Sequence, residues 1–70
     1  MSGKTYKKTN LIGESPDSIE AAVETALKRS AQKVRGQEWC EIKDIRANVN
    51  ESGGVDLWQV ELQVAFVVES

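Results

Sequence analysis

The sequence has no histidine, one cysteine (Cys40), one proline (Pro16) and one methionine (Met1). Each scarcity removes a class of explanation. A single thiol cannot close a disulfide within the chain, and without imidazole or a second thiol there is no ligand set for a structural metal. No Gly-rich phosphate loop is present, and the usual nucleophile-and-base pairs of catalysis are missing. There is no apolar run long enough to cross a bilayer, and Met1 to Asn10 lacks the apolar centre of a secretory signal, so no membrane partner and, by default, a cytoplasmic location are expected. Nine Lys plus Arg stand against eleven Asp plus Glu, a net charge of −2. That balance argues against binding nucleic acid by phosphate neutralisation.

What is present reads as one domain over residues 1–70. At seventy residues a chain buries too small a share of its surface to be comfortably stable alone. With disulfide and metal excluded, oligomerisation is the expected staple.

Lys4 to Ile12, rich in Thr, Tyr and Lys and followed by Gly13, reads as an edge strand ending in a turn. Ser15 and Pro16 form a helix-start signal, the serine as cap and the proline at the first helical position. Asp17 and Glu20 suit the positive end of the helix dipole. Ile19, Ala22, Val23, Ala26, Leu27, Ala31 and Val34 recur at helical spacing, with Glu20, Glu24, Lys28, Gln32 and Arg35 opposite them, and Gly36 is placed as the stop. The expectation is one amphipathic helix of about five turns.

From Trp39 to Val49 the apolar alternation changes phase: Cys40 and Ile42 keep one parity, Ile45, Ala47 and Val49 the other. One extra residue at Lys43 and Asp44 restores a single face, which predicts a β-bulge there. Asn50 to Gly54 reads as a hairpin turn. Trp58, Val60, Leu62, Val64, Phe66 and Val68 then alternate without interruption. The fold class predicted is α+β, a three-stranded antiparallel sheet in the order β-α-β-β wrapped around one helix. The hairpin parity places Ile45 opposite Val60 and Ala47 opposite Trp58 on the helix side. The other face receives Trp39, Glu41, Arg46 and Asn48 from one strand and Gln59, Glu61, Gln63, Ala65 and Val67 from the next.

On that outer face Trp39 is the residue that calls for a contact. It suits first an anchor between subunits, where tryptophan is enriched, and second a stacking plate for a planar ligand. A ligand lying between subunits satisfies both. Arg46 and Gln59 are predicted neighbours: an amide can donate and accept toward a heterocycle edge, and a guanidinium can hold phosphate or carbonyl oxygens. Hydrated strand residues are the plainer alternative. Trp39 falls opposite Ala65, about 20 Å from Gln59 at the usual strand rise, so one chain does not bring the two to the same ring. Trp58 and Cys40 read as inner-face residues. Glu41, Asp44 and Glu61 could in principle supply a carboxylate pair for acid-base work, and a polar sheet surface explains them more simply. Lys4, Lys7, Lys8, Lys28, Arg29, Lys33 and Arg35 form a candidate basic surface for coenzyme A or another phosphorylated metabolite, against the commoner reading of a solvated surface.

Taken together, Tyr6-Lys7-Lys8, Leu11-Ile12-Gly13, Ile19-Glu20-Ala21-Ala22, Glu38-Trp39-Cys40-Glu41-Ile42-Lys43-Asp44-Ile45-Arg46 and Trp58-Gln59-Val60 resemble the dodecin family over nearly the whole chain. The resemblance implies twelve subunits in a hollow shell of cubic symmetry, with flavins stacked between tryptophans across two-fold axes. On it, Trp39 matches the stacking tryptophan, Gln59 the glutamine at the isoalloxazine edge, Arg46 an arginine near the flavin, and Asp44 an acidic position near the ribityl chain. The chain departs from the pattern at Val67, where members that hold the mononucleotide often carry arginine. It departs again at Cys40, in place of phenylalanine, and at Trp58, in place of tyrosine.

The expected function is therefore non-enzymatic flavin binding, with FMN or riboflavin as ligand and FAD as a third candidate, serving storage, sequestration and photoprotection in a homododecamer. A structural oligomer anchored by Trp39 and a flavin-dependent oxidoreductase are the rival readings.

Overall fold

The computed structural model describes residues 3–68. Strand β1 (Thr5–Ser15) leads into helix α1 (Ile19–Ala31), followed by β2 (Gln37–Val49) and β3 (Val55–Val68). The sheet is antiparallel throughout, in the order β1-β3-β2. The most regularly alternating segment thus occupies the centre, and the weakly alternating first strand lies at an edge as expected.

Gly13 does not end β1. It pairs with Val60 inside the ladder, and its missing side chain lets the helix lie against the sheet, because a Cβ there would collide with the Ala22 carbonyl oxygen. The strand runs on to Ser15 opposite Trp58, consistent with the extended backbone favoured immediately before proline. Ser15 is consequently not the helix cap. Its hydroxyl accepts from Asp17 N at 3.0 Å, a local turn in which the serine is buried. The cap is Ser18, whose Oγ accepts from Ala21 N at 3.0 Å. The helix also ends earlier than its apolar pattern predicts, with Gln32 at its C-cap, and its thirteen residues make between three and four turns rather than five. Val34 and Gly36 lie beyond it. Gly36, at φ +80°, turns the chain into β2 and accepts a hydrogen bond from Val67 N at 3.1 Å.

The bulge falls where the phase change places it, between Ile42 and Asp44, and Ile45 pairs with Val60, Ala47 with Trp58. The hairpin is built on Asn50. Its Oδ1 accepts from Ser52 N at 3.1 Å, Ser52 Oγ at 2.9 Å and Gly54 N at 3.0 Å, while its Nδ2 donates to Asp56 at 3.0 Å.

Ala22 and Ala26 of α1 pack on Val60 and Leu62, with Leu11, Ile19, Val23, Leu27 and Cys40 around them. The helix packs against β1 and β3. The inner side chains of β2 are therefore poorly covered, and Ile42 and Ile45 remain about half exposed (47% and 48%). Cys40 is only partly buried, as is Trp58.

Candidate functional site

The sheet face away from the helix carries two clusters at opposite ends. Their separation follows from the ladder: Trp39 pairs with Ala65 and Arg46 with Gln59, six residues apart on β3, or about 20 Å along the strand.

At the first end Trp39 is 42% exposed. Tyr6, reaching from β1, meets it edge-on, with ring centroids 4.9 Å apart and the planes inclined at 61°. Such aromatic pairs add attraction beyond their buried area. The indole Nε1–H donates to Glu41 Oε2 at 3.3 Å. Glu41 also takes Lys8 Nζ at 3.0 Å on each carboxylate oxygen and Lys43 Nζ at 3.1 Å. Lys8, then Lys43, then the indole N–H favour the ionised form, and together they hold the Glu41 carboxyl near pKa 2, well below its ordinary 4.5. Beneath these side chains Ala65 is fully buried, although it lies on the outer face.

At the second end Arg46 Nε donates to Gln59 Oε1 at 2.9 Å, and Gln59 Nε2 donates to Glu14 Oε2 at 2.6 Å. Arg46 Nη1 is bound to Asp44 Oδ2 at 3.0 Å and lies 3.8 Å from Glu61 Oε1. Asn10 Nδ2 donates to Glu61 at 3.1 Å. A donor on one side of the Gln59 amide and an acceptor on the other distinguish its oxygen from its nitrogen. A primary amide has two N–H donors and two acceptor lone pairs, so one donor and one acceptor remain for a ligand.

Of the four residues singled out from sequence, Asp44, Arg46 and Gln59 are thus brought together and Trp39 is set apart. Tyr6 and Lys43 around the indole, and Glu14 on the amide, were not expected at the site, and Lys8 was expected only in a basic surface. Their signal was the parity of β1, which puts Tyr6, Lys8 and Glu14 on the Gln59 side of the sheet, but the weak alternation of that strand hid it. The candidate basic surface is split: Lys8 is committed to Glu41, while Lys7, Lys33 and Arg35 line a groove with Phe66, Val67 and Val68. Among the described residues no helix is long and apolar enough to cross a membrane.

The comparisons with known proteins agree with one another. The family model described as Dodecin matches residues 5–69. A curated dodecin from Thermus thermophilus is 43% identical over 67 residues, 96% of each chain. A crystal structure of a Thermus thermophilus protein superposes with a TM-score of 0.90 at 43% identity, covering 97% of this chain and 98% of that one. A dodecin structure from Streptomyces coelicolor gives a TM-score of 0.90 at 36% identity, covering 100% and 99%.

Proposed function

The chain belongs to the dodecin family, and on that premise we propose that it holds a flavin without turning it over, in a hollow homododecamer that stores the ligand and shields it from light. FMN and riboflavin are the first candidates and FAD the third. The observation that carries this reading is Trp39, a large aromatic 42% exposed on the sheet face that no helix covers.

The residues present suit such a ligand. Trp39 offers a broad apolar plate for a planar ring. Gln59 offers one donor beside one acceptor, the complement of a heterocycle edge, and Arg46 Nε holds that amide in orientation. Asp44 balances the guanidinium charge at 3.0 Å. When bound, the flavin supplies a light-absorbing, redox-active ring. None of these side chains is an activated nucleophile, and holding the ligand demands none.

Assembly is supported by the shape of the single chain. Its radius of gyration is 14.7 Å, against about 11 Å for a compact chain of this length. Ile12, Ile42, Ile45, Val49, Val55 and Val68 stand exposed. A lone subunit therefore leaves much apolar surface in water, as oligomer subunits do. The 20 Å spacing of the two outer clusters also means that a single ring can touch both only where copies meet.

Absorption spectroscopy of the purified protein, mass spectrometry of the released ligand and light scattering test the proposal together. The expected result is a yellow particle of about twelve chains that releases FMN or riboflavin. A colourless protein that takes up no added flavin rejects it in favour of a structural oligomer. Reductant-driven bleaching with turnover of a second substrate rejects it in favour of an oxidoreductase.

A further inference from the structure

We infer that Tyr6, Lys8, Glu41 and Lys43 form a clamp that fixes the plane of the Trp39 indole before ligand arrives, with Glu41 as its positioning residue; this rests on the reading of Trp39 as the stacking plate.

The clamp depends on a small residue in the central strand. β1 and β2 flank β3, so their facing side chains start about 10 Å apart. At Ala65, paired with Lys8 on one side and Trp39 on the other, the alanine leaves the space above β3 free. Side chains from both edge strands close over it, which is why Ala65 is fully buried on an otherwise open face. Lys8 crosses from β1 to both oxygens of Glu41 at 3.0 Å, and Lys43 approaches from the bulge at 3.1 Å. The carboxylate is held from two directions before it meets the indole.

The indole has one polar hydrogen, and Glu41 Oε2 accepts it at 3.3 Å. The Tyr6 ring adds an edge contact at a centroid distance of 4.9 Å. A hydrogen bond at one point of the ring and an aromatic contact at another leave an exposed tryptophan little freedom to swing about its side-chain torsions. A plate already held in position gives up less freedom when a ring stacks on it. Immobilising one such side chain typically weakens binding by roughly two- to tenfold, which the clamp avoids. Exposed ion pairs contribute little to folding stability. The lysine–glutamate set is therefore expected to reveal itself at the indole rather than in the melting temperature.

The test uses the whole protein with Glu41→Ala, which removes acceptor and charge, and Glu41→Gln, which keeps an acceptor. The Trp39 indole N–H resonance, identified by its loss in Trp39→Phe, should shift and exchange faster with solvent in Glu41→Ala in the absence of flavin. Flavin affinity should fall roughly two- to tenfold at unchanged thermal stability, and Glu41→Gln should recover most of both effects. An indole resonance unmoved in Glu41→Ala overturns the clamp. So does a loosened indole with wild-type affinity, provided that Trp39→Ala weakens binding. Wild-type flavin affinity in Trp39→Ala overturns instead the reading of Trp39 as the plate, and with it the ligand half of this inference, while the indole resonance still decides whether the clamp exists.

Discussion

At the Trp39 end of the outer face the polar groups are spent on one another, and at the Arg46 end they are left partly open. Glu41 is occupied by two lysines and the indole, so what that end presents outward is aromatic surface. Gln59 keeps one donor and one acceptor after Arg46 and Glu14 have taken theirs, so that end presents directional hydrogen bonding. On the proposed flavin reading the difference is a division of labour: a plate that attracts any flat ring, and an edge that selects among rings. With the two ends on one strand but far apart, neither is a complete site in a single chain.

Removing the plate should have the largest effect. Stacking on an aromatic side chain is typically worth about 1–3 kcal/mol by alanine substitution, by analogy with base stacking. Trp39→Ala should therefore weaken flavin about five- to 150-fold by fluorescence titration, with the mass of the assembly unchanged. Undiminished affinity would move the plate elsewhere on the molecule.

Removing the edge should cost less. Gln59→Leu deletes one ligand-facing donor and one acceptor on an open face, each worth about 0.5 kcal/mol at the lower end of the usual range, so affinity should fall about fivefold. If this variant loses more than Trp39→Ala in the same titration, the ranking of plate over edge is reversed.

Both ends bear on how far the sequence could be read. The unbroken alternation from Trp58 to Val68 and the phase change at Lys43 and Asp44 are enough to set the pairing of β2 on β3, including Arg46 with Gln59 and Trp39 with Ala65. The register is legible because a slip of one residue would turn every apolar side chain outward. The start of the helix was less legible. Two serines precede it, and Ser15-Pro16 has the stronger local signature, yet Ser15 is drawn into the β1 ladder and Ser18 caps; tertiary pairing outweighed local preference. The surroundings of Trp39 were hidden for a different reason. Tyr6 and Lys8 come from the weakly patterned strand, and their contacts exist only because Ala65 lets two edge strands meet above the central one. Sequence periodicity shows which face a residue takes, but not what reaches it across two strands.

Ligand choice sharpens the comparison at the Trp39 end. Val67 lies on the outer face paired with Tyr6, close to the plate, where an arginine would bring a cation for a terminal phosphate. A charge-assisted hydrogen bond is worth about 1.5–3 kcal/mol, enough to account for most discrimination between FMN and riboflavin. With valine there, the two should bind within about tenfold of each other. Val67→Arg should tighten FMN about tenfold and leave riboflavin unchanged in parallel titrations. A strong native preference for FMN that is indifferent to Val67→Arg would assign the phosphate to other residues, with Arg46 at the opposite end the first to examine.

The smallest effect concerns acid, and its sign follows from Glu41. Lys8, Lys43 and the indole N–H favour its ionised form and hold the folded pKa near 2, below the ordinary 4.5. A group whose pKa is depressed on folding contributes its stabilisation in full above the ordinary value and loses it as pH falls through the folded value. Glu41 should accordingly keep its charge, and with it the two lysine ion pairs, from neutral pH down to about 3. The Trp39 indole N–H resonance should keep its position over that range and shift only below it, in step with the Glu41 carboxyl signal. A midpoint at the ordinary carboxyl value instead would mean that the lysines do not close over Ala65 in solution. The Trp39 end would then be as open as the Arg46 end, and the division between plate and edge would lose its structural basis.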